Sequence, residues 1–386
     1  MITRLITSFQ RNKQFLAAIA ILVGTMVGVG VFAIPFAFAK AGFWVGFLFL
    51  LLAAGLTLVV DLMFGEIVLR TNQRHQLVGY VSLYLGPWFK RVELFANMLT
   101  MYGALLAYMI VSGIFLNNIF SHFWYAPIEV YSAVFFGIIA ILIAWGIRTV
   151  ASIELILTVF FGLVIVVIAA LGIPHISLAN FSGWQPTFWF LPYGILLFAF
   201  GGLSAVPLQR DILGSNPRAL RRAIFWAVGL VGILYLVFAG TVVGVSGDIT
   251  TPDALSGLFD TLGETIILLG SLFGIMTITT SSLSIGTALT KMFHTDYRIR
   301  MRTAWLMTVI PPVVLYFTGM RTFIDIIGLV GAVAAGIEGL MVVLVYRKAH
   351  THHDRQPEYT IAVPPWLQLA IGIVFVSGII YAIAAR

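Results

Sequence analysis

Long apolar stretches separated by short polar segments make up most of the chain after residue 13. Each stretch holds about 20 mostly apolar residues, the length at which an α-helix can cross a lipid bilayer. A shorter amphipathic segment, Gln76 to Gly86, is predicted to lie along the membrane surface. The pattern predicts an all-α, multi-pass membrane protein with eleven transmembrane helices, at residues 14–39, 43–69, 91–120, 129–147, 151–174, 188–212, 219–246, 263–292, 301–319, 322–346 and 364–385.

Positive charges are distributed unevenly among the segments between these helices. With the N-terminus in the cytoplasm, every Lys and Arg except Lys40, Arg321 and Arg386 falls on the cytoplasmic side. Cytoplasmic loops of membrane proteins carry such an excess of basic residues. An odd number of helices then places the C-terminus outside. The same asymmetry explains the formal net charge of +7 without a nucleic-acid partner.

Composition agrees with a membrane protein and narrows the chemistry. The chain is 60% hydrophobic and 10% charged, whereas soluble domains are about 45–50% apolar and about 25% charged. It has no cysteine, which excludes disulfides and cysteine-ligated metals. The seven histidines lie in or near predicted loops, and no catalytic pair or metal cluster accompanies them. No metal site or cofactor is predicted.

The first predicted helix contains an unusual number of residues that disfavour a helix. The stretch Gly24 to Gly42 reads GTMVGVGVFAIPFAFAKAG, with four glycines and one proline. Each Gly costs about 1 kcal/mol in a helix interior and Pro about 3. In lipid, a freed backbone group must also find a partner without water, so an interruption is tolerated where it lines a cavity. The stretch therefore predicts a broken helix beside a cavity.

The sixth predicted helix repeats this pattern. Gly202 to Pro207 matches Gly30 to Pro35 as G-x-x-A-x-P, and a glycine follows each proline after the same interval, at Gly214 and Gly42. The two helices run in opposite directions, which is typical of an inverted-repeat transporter. We expect one transporter domain over residues 1–386. Its predicted parts are a first repeat at 14–174, a second at 188–346, and a peripheral helix at 364–385.

Two broken helices offer binding groups of both signs without a charged side chain. A half-helix that begins at a break has a partial positive charge and attracts a carboxylate, and one that ends there attracts an ammonium group. Tyr108 in the third helix is a candidate for closing over the ligand, with aromatic packing as the alternative. The predicted substrate-binding residues are Thr25, Met26, Val27, Gly28, Val29, Gly30, Phe200, Gly201, Gly202, Ser204 and Tyr108.

Two motifs resemble the aromatic amino acid permeases for tryptophan and tyrosine. They are also similar to the wider amino acid/auxin permease family, within the amino acid-polyamine-cation transporter superfamily. The sixth helix matches from Phe198 to Pro207, with Asn216 and three arginines behind it. The matching residues of the first helix are Gly24-Thr25, Gly28-Val29-Gly30 and Ala33-Ile34-Pro35.

The resemblance implies the leucine-transporter-like fold, a five-plus-five inverted repeat with broken helices 1 and 6. It also implies secondary uptake of amino acids, and we expect a bacterial cytoplasmic membrane as the location. One departure concerns specificity. The family's sixth helix typically carries Phe-His-Gly-Ser, whereas this chain has Phe200 to Ser204 as FGGLS, without the histidine. Which amino acid is carried is therefore not predicted, nor is the oligomeric state.

A cluster of hydroxyl residues in the eighth helix is a candidate ion site. By resemblance to sodium-coupled members of this fold, Thr280 and Ser281 match the hydroxyl pair that joins first-helix carbonyls around sodium, and Thr277 would offer its carbonyl. The alternative is that these hydroxyls bond back to carbonyls one turn earlier in their own helix. The coupling ion is predicted to be H⁺ or Na⁺.

Acidic residues inside predicted helices are the other candidates for ion coupling, because ionisable groups in a membrane are costly and usually functional. Glu338 lies deepest and is a candidate proton carrier, with a structural hydrogen bond or ion pair as the alternative. Asp61, Glu66 and Glu154 lie nearer the cytoplasmic side, where a gate or an ion pair is the favoured role.

The sequence thus predicts an ion-coupled amino acid permease that works by alternating access. The same fold carrying another small solute, such as a nucleobase or a polyamine, is the alternative. A membrane-embedded enzyme is disfavoured because a catalytic set is missing. A channel is disfavoured because its pore would need a ring of equivalent residues rather than one asymmetric pair of broken helices.

Overall fold

Helices and the loops between them form the whole of the chain that the structure describes. The computed structural model describes residues 2–121, 123–146, 151–214, 216–352 and 354–384, and no strand occurs in these ranges. The α-helices are α1 (Ile2–Met26), α2 (Gly30–Ala41), α3 (Phe43–Arg70), α4 (Leu77–Leu85), α5 (Pro87–Phe120), α6 (Ile128–Ala144), α7 (Ala151–Gly172), α8 (Leu191–Ala199), α9 (Val206–Leu213), α10 (Leu220–Ser246), α11 (Phe259–Leu262), α12 (Glu264–Lys291), α13 (Met301–Phe317), α14 (Phe323–Val330), α15 (Gly336–Thr351) and α16 (Pro365–Ala384).

Seven of the described helical segments are long and apolar enough to cross a membrane, or eight if the bent pair α1 and α2 counts as one. Three shorter apolar helices lie at Ile128–Ala144, Gly162–His175 and Met301–Phe317. The helices fall close to the predicted spans, and the amphipathic segment is a helix, α4, as predicted. An all-helical, multi-pass membrane protein is confirmed. Glu154 and Arg386, which figure in the predictions, lie outside the residues whose side chains are described.

Three predicted spans are interrupted. The first is divided into α1 and α2, which meet at 59°. The sixth is divided into α8 and α9, with a 3₁₀ turn at Leu203–Ala205 between them. The tenth is divided into α14 and α15 by a π-helical segment, Gly331–Ala335. Glycine or proline accounts for the first two breaks, whereas the π-helical segment was not predicted.

The half-helices of the two broken spans pack in pairs. Helix α1 packs on α9, and α2 packs on α8, with α3 and α10 against both pairs. Gln209 on α9 donates a 2.8 Å hydrogen bond from Nε2 to the Ala18 carbonyl on α1. Helix α5 packs on α12, α6, α4, α14 and α13. The breaks therefore lie between the paired half-helices.

Loops that the predicted topology places on one side meet each other. At one end, Asn180 and Ser177 both donate hydrogen bonds to the Gly244 carbonyl. At the other end, Arg74 and Asp211 form a 3.1 Å ion pair, and the backbone N–H of Asn72 donates to Asp354. The alternation of predicted loops between two sides thus agrees with the contacts.

Candidate functional site

The break in the first span consists of Val27, Gly28 and Val29. Helix α1 ends at Met26 and α2 begins at Gly30, so a carbonyl end and an N–H end face each other across three non-helical residues. Val27 and Val29 are 1% exposed, which shows that the break lies inside the protein. Lacking a side chain, Gly28 leaves room there. The nearest atom to a built Cβ would be the Tyr108 hydroxyl oxygen, at 3.7 Å.

The break in the sixth span has the same organisation. Helix α8 ends at Ala199, Phe200 to Gly202 are not helical, and α9 begins at Val206 after the 3₁₀ turn. The second half-helix of each broken span ends at a glycine with positive φ, Gly42 at 97° and Gly214 at 47°. Only glycine adopts such a backbone without strain. These two glycines are the pair that the sequence repeat identified.

The two breaks approach each other closely at Gly30 and Gly202, where the absence of a side chain leaves room for the neighbouring helix. A Cβ on Gly30 would lie 3.0 Å from the Ala199 α-carbon, at the end of α8. A Cβ on Gly202 would lie 2.7 Å from the Leu22 side chain and 2.8 Å from the Met26 side chain on α1. Each break is thus packed against a half-helix of the other broken span. The predicted backbone residues of the two breaks are brought together.

Tyr235 on α10 connects the two breaks, and the sequence analysis missed it. Its hydroxyl oxygen lies 2.8 Å from the Met26 carbonyl oxygen, where α1 ends, and 2.8 Å from the Ala199 carbonyl oxygen, where α8 ends. The side chain is fully buried. One hydroxyl proton can serve only one of the two carbonyls at a time. The signal that could have identified it is a phenol hydroxyl near the middle of the apolar seventh span.

The side chains around the breaks differ in their contacts. The Phe200 ring packs on α10, with its centroid 5.2 Å from that of Tyr235. The Thr25 hydroxyl donates to the Ile21 carbonyl of its own helix. Thr25, Gly201 and Ser204 are exposed. The Phe200 ring therefore lies against α10, whereas the Tyr108 hydroxyl lies beside Gly28.

The hydroxyl cluster predicted as an ion site lies on α12. The Thr280 hydroxyl donates a 2.9 Å hydrogen bond to the Thr277 carbonyl of the same helix. Among the described residues, the helices packed on α12 include α5, α7, α13 and α6, and α1 is not among its main partners. Ser281 is partly buried.

The predicted intramembrane acid Glu338 lies on α15 and meets α5. The Thr100 hydroxyl donates a 3.1 Å hydrogen bond to Glu338 Oε1. A second acid on α5, Glu93, is 0% exposed and close enough to Glu338 for the two charges to interact. The sequence pattern gives no sign that Glu93 is buried, because this residue lies two positions inside the predicted start of its helix.

The acid Glu66 on α3 belongs to a polar network at the end of the bundle where α9 terminates. It forms a 2.7 Å ion pair with Arg70 and lies 3.4 Å from His350 Nε2. It also accepts a 2.7 Å hydrogen bond from the Ile361 backbone N–H. Nearby, Tyr359 donates to the Leu62 carbonyl, and burial raises the pKa of its phenol well above the ordinary value.

The chain matches known proteins at the levels of family and fold. A family model for the tryptophan/tyrosine permease family matches residues 11–385, whereas no curated protein matches significantly in sequence. Among solved structures, MhsT in complex with L-phenylalanine gives a TM-score of 0.66 at 16% identity, over 96% of this chain and 98% of that chain.

Two structures of Mhp1 are similar as well. The inward-facing conformation gives a TM-score of 0.68 at 11% identity, over 96% of this chain and 88% of that chain. A closed conformation, described as a nucleobase-cation-symport-1 family transporter with bromovinylhydantoin bound, gives 0.62 at 10% identity, over 95% and 90%. The fold is that of these transporters, the leucine-transporter-like fold.

Proposed function

The chain belongs to the tryptophan/tyrosine permease family, and from this premise we propose that it takes up an aromatic amino acid, coupled to a cation, by alternating access. A secondary transporter for amino acids follows from the family. The aromatic side chain, the cation and the position of the binding site are our proposals. MhsT, a protein of the same fold, has L-phenylalanine bound, which supports the choice of an aromatic substrate.

The observation that carries the proposal is the convergence of two half-helix ends at one hydroxyl. The carbonyl ends of α1 and α8 are both 2.8 Å from the Tyr235 hydroxyl. The Met26 carbonyl oxygen also accepts a 2.9 Å hydrogen bond from the Gly28 backbone N–H, whereas the Ala199 carbonyl oxygen keeps a second lone pair that can accept a further hydrogen bond. The partial negative charge of two helix C-termini attracts a cation. We place the substrate's ammonium group beside this pair of carbonyls.

The N-terminal ends of the second half-helices, α2 and α9, suit the substrate's carboxylate. Helix α2 begins at Gly30 and α9 follows the turn after Gly202, and the N-terminus of a helix favours an anion. The first-span break, at Val27, Gly28 and Val29, would receive the carboxylate. The glycines allow the ligand to approach the backbone, and Tyr108 faces Gly28 across the space. The full set that we propose is Thr25, Met26, Val27, Gly28, Val29, Gly30, Phe200, Gly201, Gly202, Ser204 and Tyr108.

We also propose eleven crossings in one domain. The eight crossings counted with the bent pair, plus the three shorter apolar helices, add up to this number. Helices α1–α7 would form one repeat and α8–α15 the inverted repeat, with α16 peripheral. The glycines that end α2 and α9 support this pairing. The basic loops favour a cytoplasmic N-terminus and an external C-terminus, in a bacterial cytoplasmic membrane.

The coupling cation is H⁺ or Na⁺ in this proposal. Glu338 would bind a proton, and Thr277, Thr280 and Ser281 would bind sodium. Alternating access would move the pair α1 and α9 relative to the pair α2 and α8, because each pair is packed as a unit. No organic cofactor takes part.

The test is a melting-temperature screen of the purified protein with each of the twenty amino acids and with uracil, at two pH values, with and without sodium. A ligand that binds the native state raises the melting temperature by mass action. We expect L-tryptophan, L-tyrosine or L-phenylalanine to give the largest rise. Stabilisation by uracil and by no amino acid would overturn the proposal. Gly30→Leu should abolish the rise, while Gly229→Ala, where a Cβ meets nothing within 4 Å, should not.

A further inference from the structure

Glu93 is a buried acid without a partner. Its side chain is 0% exposed, and among the described residues none forms a hydrogen bond with either of its carboxyl oxygens. An isolated carboxylate is costly to bury, so such a group is paired or neutral. No ion pair to Glu93 is present in the described part of the chain. The group that can satisfy this side chain is a proton.

Glu338 lies on α15, which packs against α5, the helix that carries Glu93. Glu338 Oε1 accepts the hydrogen bond from Thr100 at 3.1 Å. Thr100 lies seven residues after Glu93, which is two turns and about 10 Å along the same face of α5. The charges of Glu93 and Glu338 interact. Two unsolvated carboxyl groups repel each other when both are ionised, so the pair favours holding a proton.

Many of the other titratable groups on the surrounding helices are engaged elsewhere or exposed, whereas Asp61 and Tyr80 are buried, each with an oxygen that has no hydrogen-bond partner among the described residues. On α5 itself, Lys90 and Arg91 are exposed. On α15, Arg347 donates to Gln368. The remaining groups on these helices and on their packed neighbours are Tyr102, Tyr108, Tyr346, Lys348, His350, Asp61, Glu66, Arg70, Tyr80, Tyr84, Glu129, Tyr131, Glu264, Lys291, Arg302, Tyr316, Asp325 and Tyr381.

The groups nearest in the fold do not neutralise the pair. Glu66 is held by Arg70 and His350, and Asp61 is a third buried acid on α3. The Tyr84 hydroxyl pairs with the Thr71 hydroxyl. In the described residues, no Lys, Arg or His is ion-paired with Glu93 or Glu338. A cation is therefore still needed at this site.

The same two helices reach the substrate site. Helix α5 carries Tyr108, which faces Gly28 at the first break. The helix that contains Glu338 has its π-helical segment at Gly331, where a built Cβ would lie 1.8 Å from the Gly194 carbonyl oxygen of α8. Such segments are frequent at functional sites. A change of charge at the carboxyl pair can thus act on the first broken span through the Tyr108 side chain and on the sixth through the backbone contact of Gly331 with Gly194.

We propose that Glu93 and Glu338 together form the binding site for the proton that is coupled to transport. Binding of one proton converts one carboxylate of the pair to a neutral carboxyl group, and its release restores the charge; no electrons move. Glu338 lies nearer the middle of its span and Glu93 nearer the N-terminal end of α5, so the two carboxyl groups lie at different positions along the bundle. The inference rests on the proposed transport of an amino acid and names the ion and its second ligand.

The test compares wild type, Glu93→Gln and Glu338→Gln in sodium-free proteoliposomes that contain a pH-sensitive dye. L-Tryptophan is added outside, and both internal acidification and exchange of labelled L-tryptophan are recorded. We expect wild type to show both. Each Gln variant should keep exchange and lose acidification to the level of protein-free liposomes. Glu129→Gln, an exposed acid paired with Arg321, is the matched control and should behave as wild type.

The outcomes separate the two proposals. Two results would overturn the proposed proton site and leave the proposed amino acid transport intact. They are exchange without proton movement in wild type, and normal acidification in either Gln variant. Absence of any amino acid exchange in wild type would overturn the proposed function and this inference with it. If Glu93→Gln does not fold, Thr100→Val provides the test of the proton site. Removing this donor destabilises the carboxylate of Glu338, so the pH of half-maximal acidification should rise, and an unchanged midpoint would contradict the site.

Discussion

Tyr235 is the residue on which the geometry of the two breaks depends most directly. It is a single hydroxyl placed 2.8 Å from two carbonyl oxygens that belong to different broken spans. Because it sits on α10, outside both breaks, it fixes their separation without occupying the space between them. A bound ammonium group would meet carbonyls that are already positioned.

Tyr235→Phe removes this donor and keeps the ring. A buried polar group left without its partner costs about 1–3 kcal/mol, so the melting temperature of the purified protein should fall. Affinity for the substrate should fall too, since the carbonyl ends are less well held. Tyr125→Phe, at a side chain that is 92% exposed, should change neither quantity. Equal melting temperatures for the two variants would contradict the role of Tyr235.

Gly30 and Gly202 should differ in their tolerance of alanine. At Gly30 a Cβ meets the Ala199 α-carbon at 3.0 Å, and backbone cannot move aside without displacing α8. At Gly202 a Cβ meets the ends of the Leu22 and Met26 side chains, which can change rotamer. We expect Gly30→Ala to lose most uptake and Gly202→Ala to keep more of it, measured at equal expression. Uptake by Gly30→Ala as high as by Gly229→Ala would show that this contact does not matter.

At the scale of elements, the sequence predicted the helix interruptions that glycine and proline cause. Both interrupted spans were identified from G-x-x-A-x-P, and the glycines that follow the prolines end α2 and α9 as the repeat requires. The π-helical segment at Gly331–Ala335 was missed, because GAVAA reads as ordinary apolar helix. Its departure from α-helical geometry accompanies backbone contact with Gly194, which only the packed structure shows.

The buried acidic residues show a second limit on what can be predicted from sequence. Glu338 was identified because it is deep within its span, whereas Glu93 seemed to lie at the membrane edge. Helix α15 packs on α5 and on α4, and it is distant from both in sequence, so this packing around Glu93 cannot be read from the local pattern. Tyr235 was missed for the same reason, since its partners lie 209 and 36 residues away. Local pattern predicts elements, and long-range packing decides which side chains meet.

The hydroxyls of α12 give a test at this scale. In the structure the Thr280 hydroxyl bonds to its own helix, and α1 is not a main partner of α12 in the described residues. If the proton is the coupling ion, Thr280→Ala combined with Ser281→Ala should keep uptake driven by a pH gradient in sodium-free buffer. Loss of that uptake in a variant that still binds substrate would reassign coupling to the hydroxyl cluster.

At the scale of the whole molecule, the arrangement of loops predicts sidedness. The chain has no cysteine, so a single introduced cysteine can be labelled without background. In intact cells, an impermeant maleimide should label Glu129→Cys and should leave Arg74→Cys unlabelled until the membrane is opened. Arg74 has 72% of its side chain exposed, so access is not limited by burial. Labelling of Arg74→Cys from outside would invert the orientation.

The whole account depends on an amino acid binding where two broken spans meet. The measurement that tests it most directly is exchange of labelled L-tryptophan, L-tyrosine and L-phenylalanine in proteoliposomes, with wild type and Gly30→Leu at equal reconstitution. We predict that wild type exchanges at least one of the three, and that Gly30→Leu exchanges none while its melting profile still shows a folded protein. Two results would contradict this prediction. One is exchange by Gly30→Leu at the wild-type rate, and the other is that wild type exchanges none of the three amino acids.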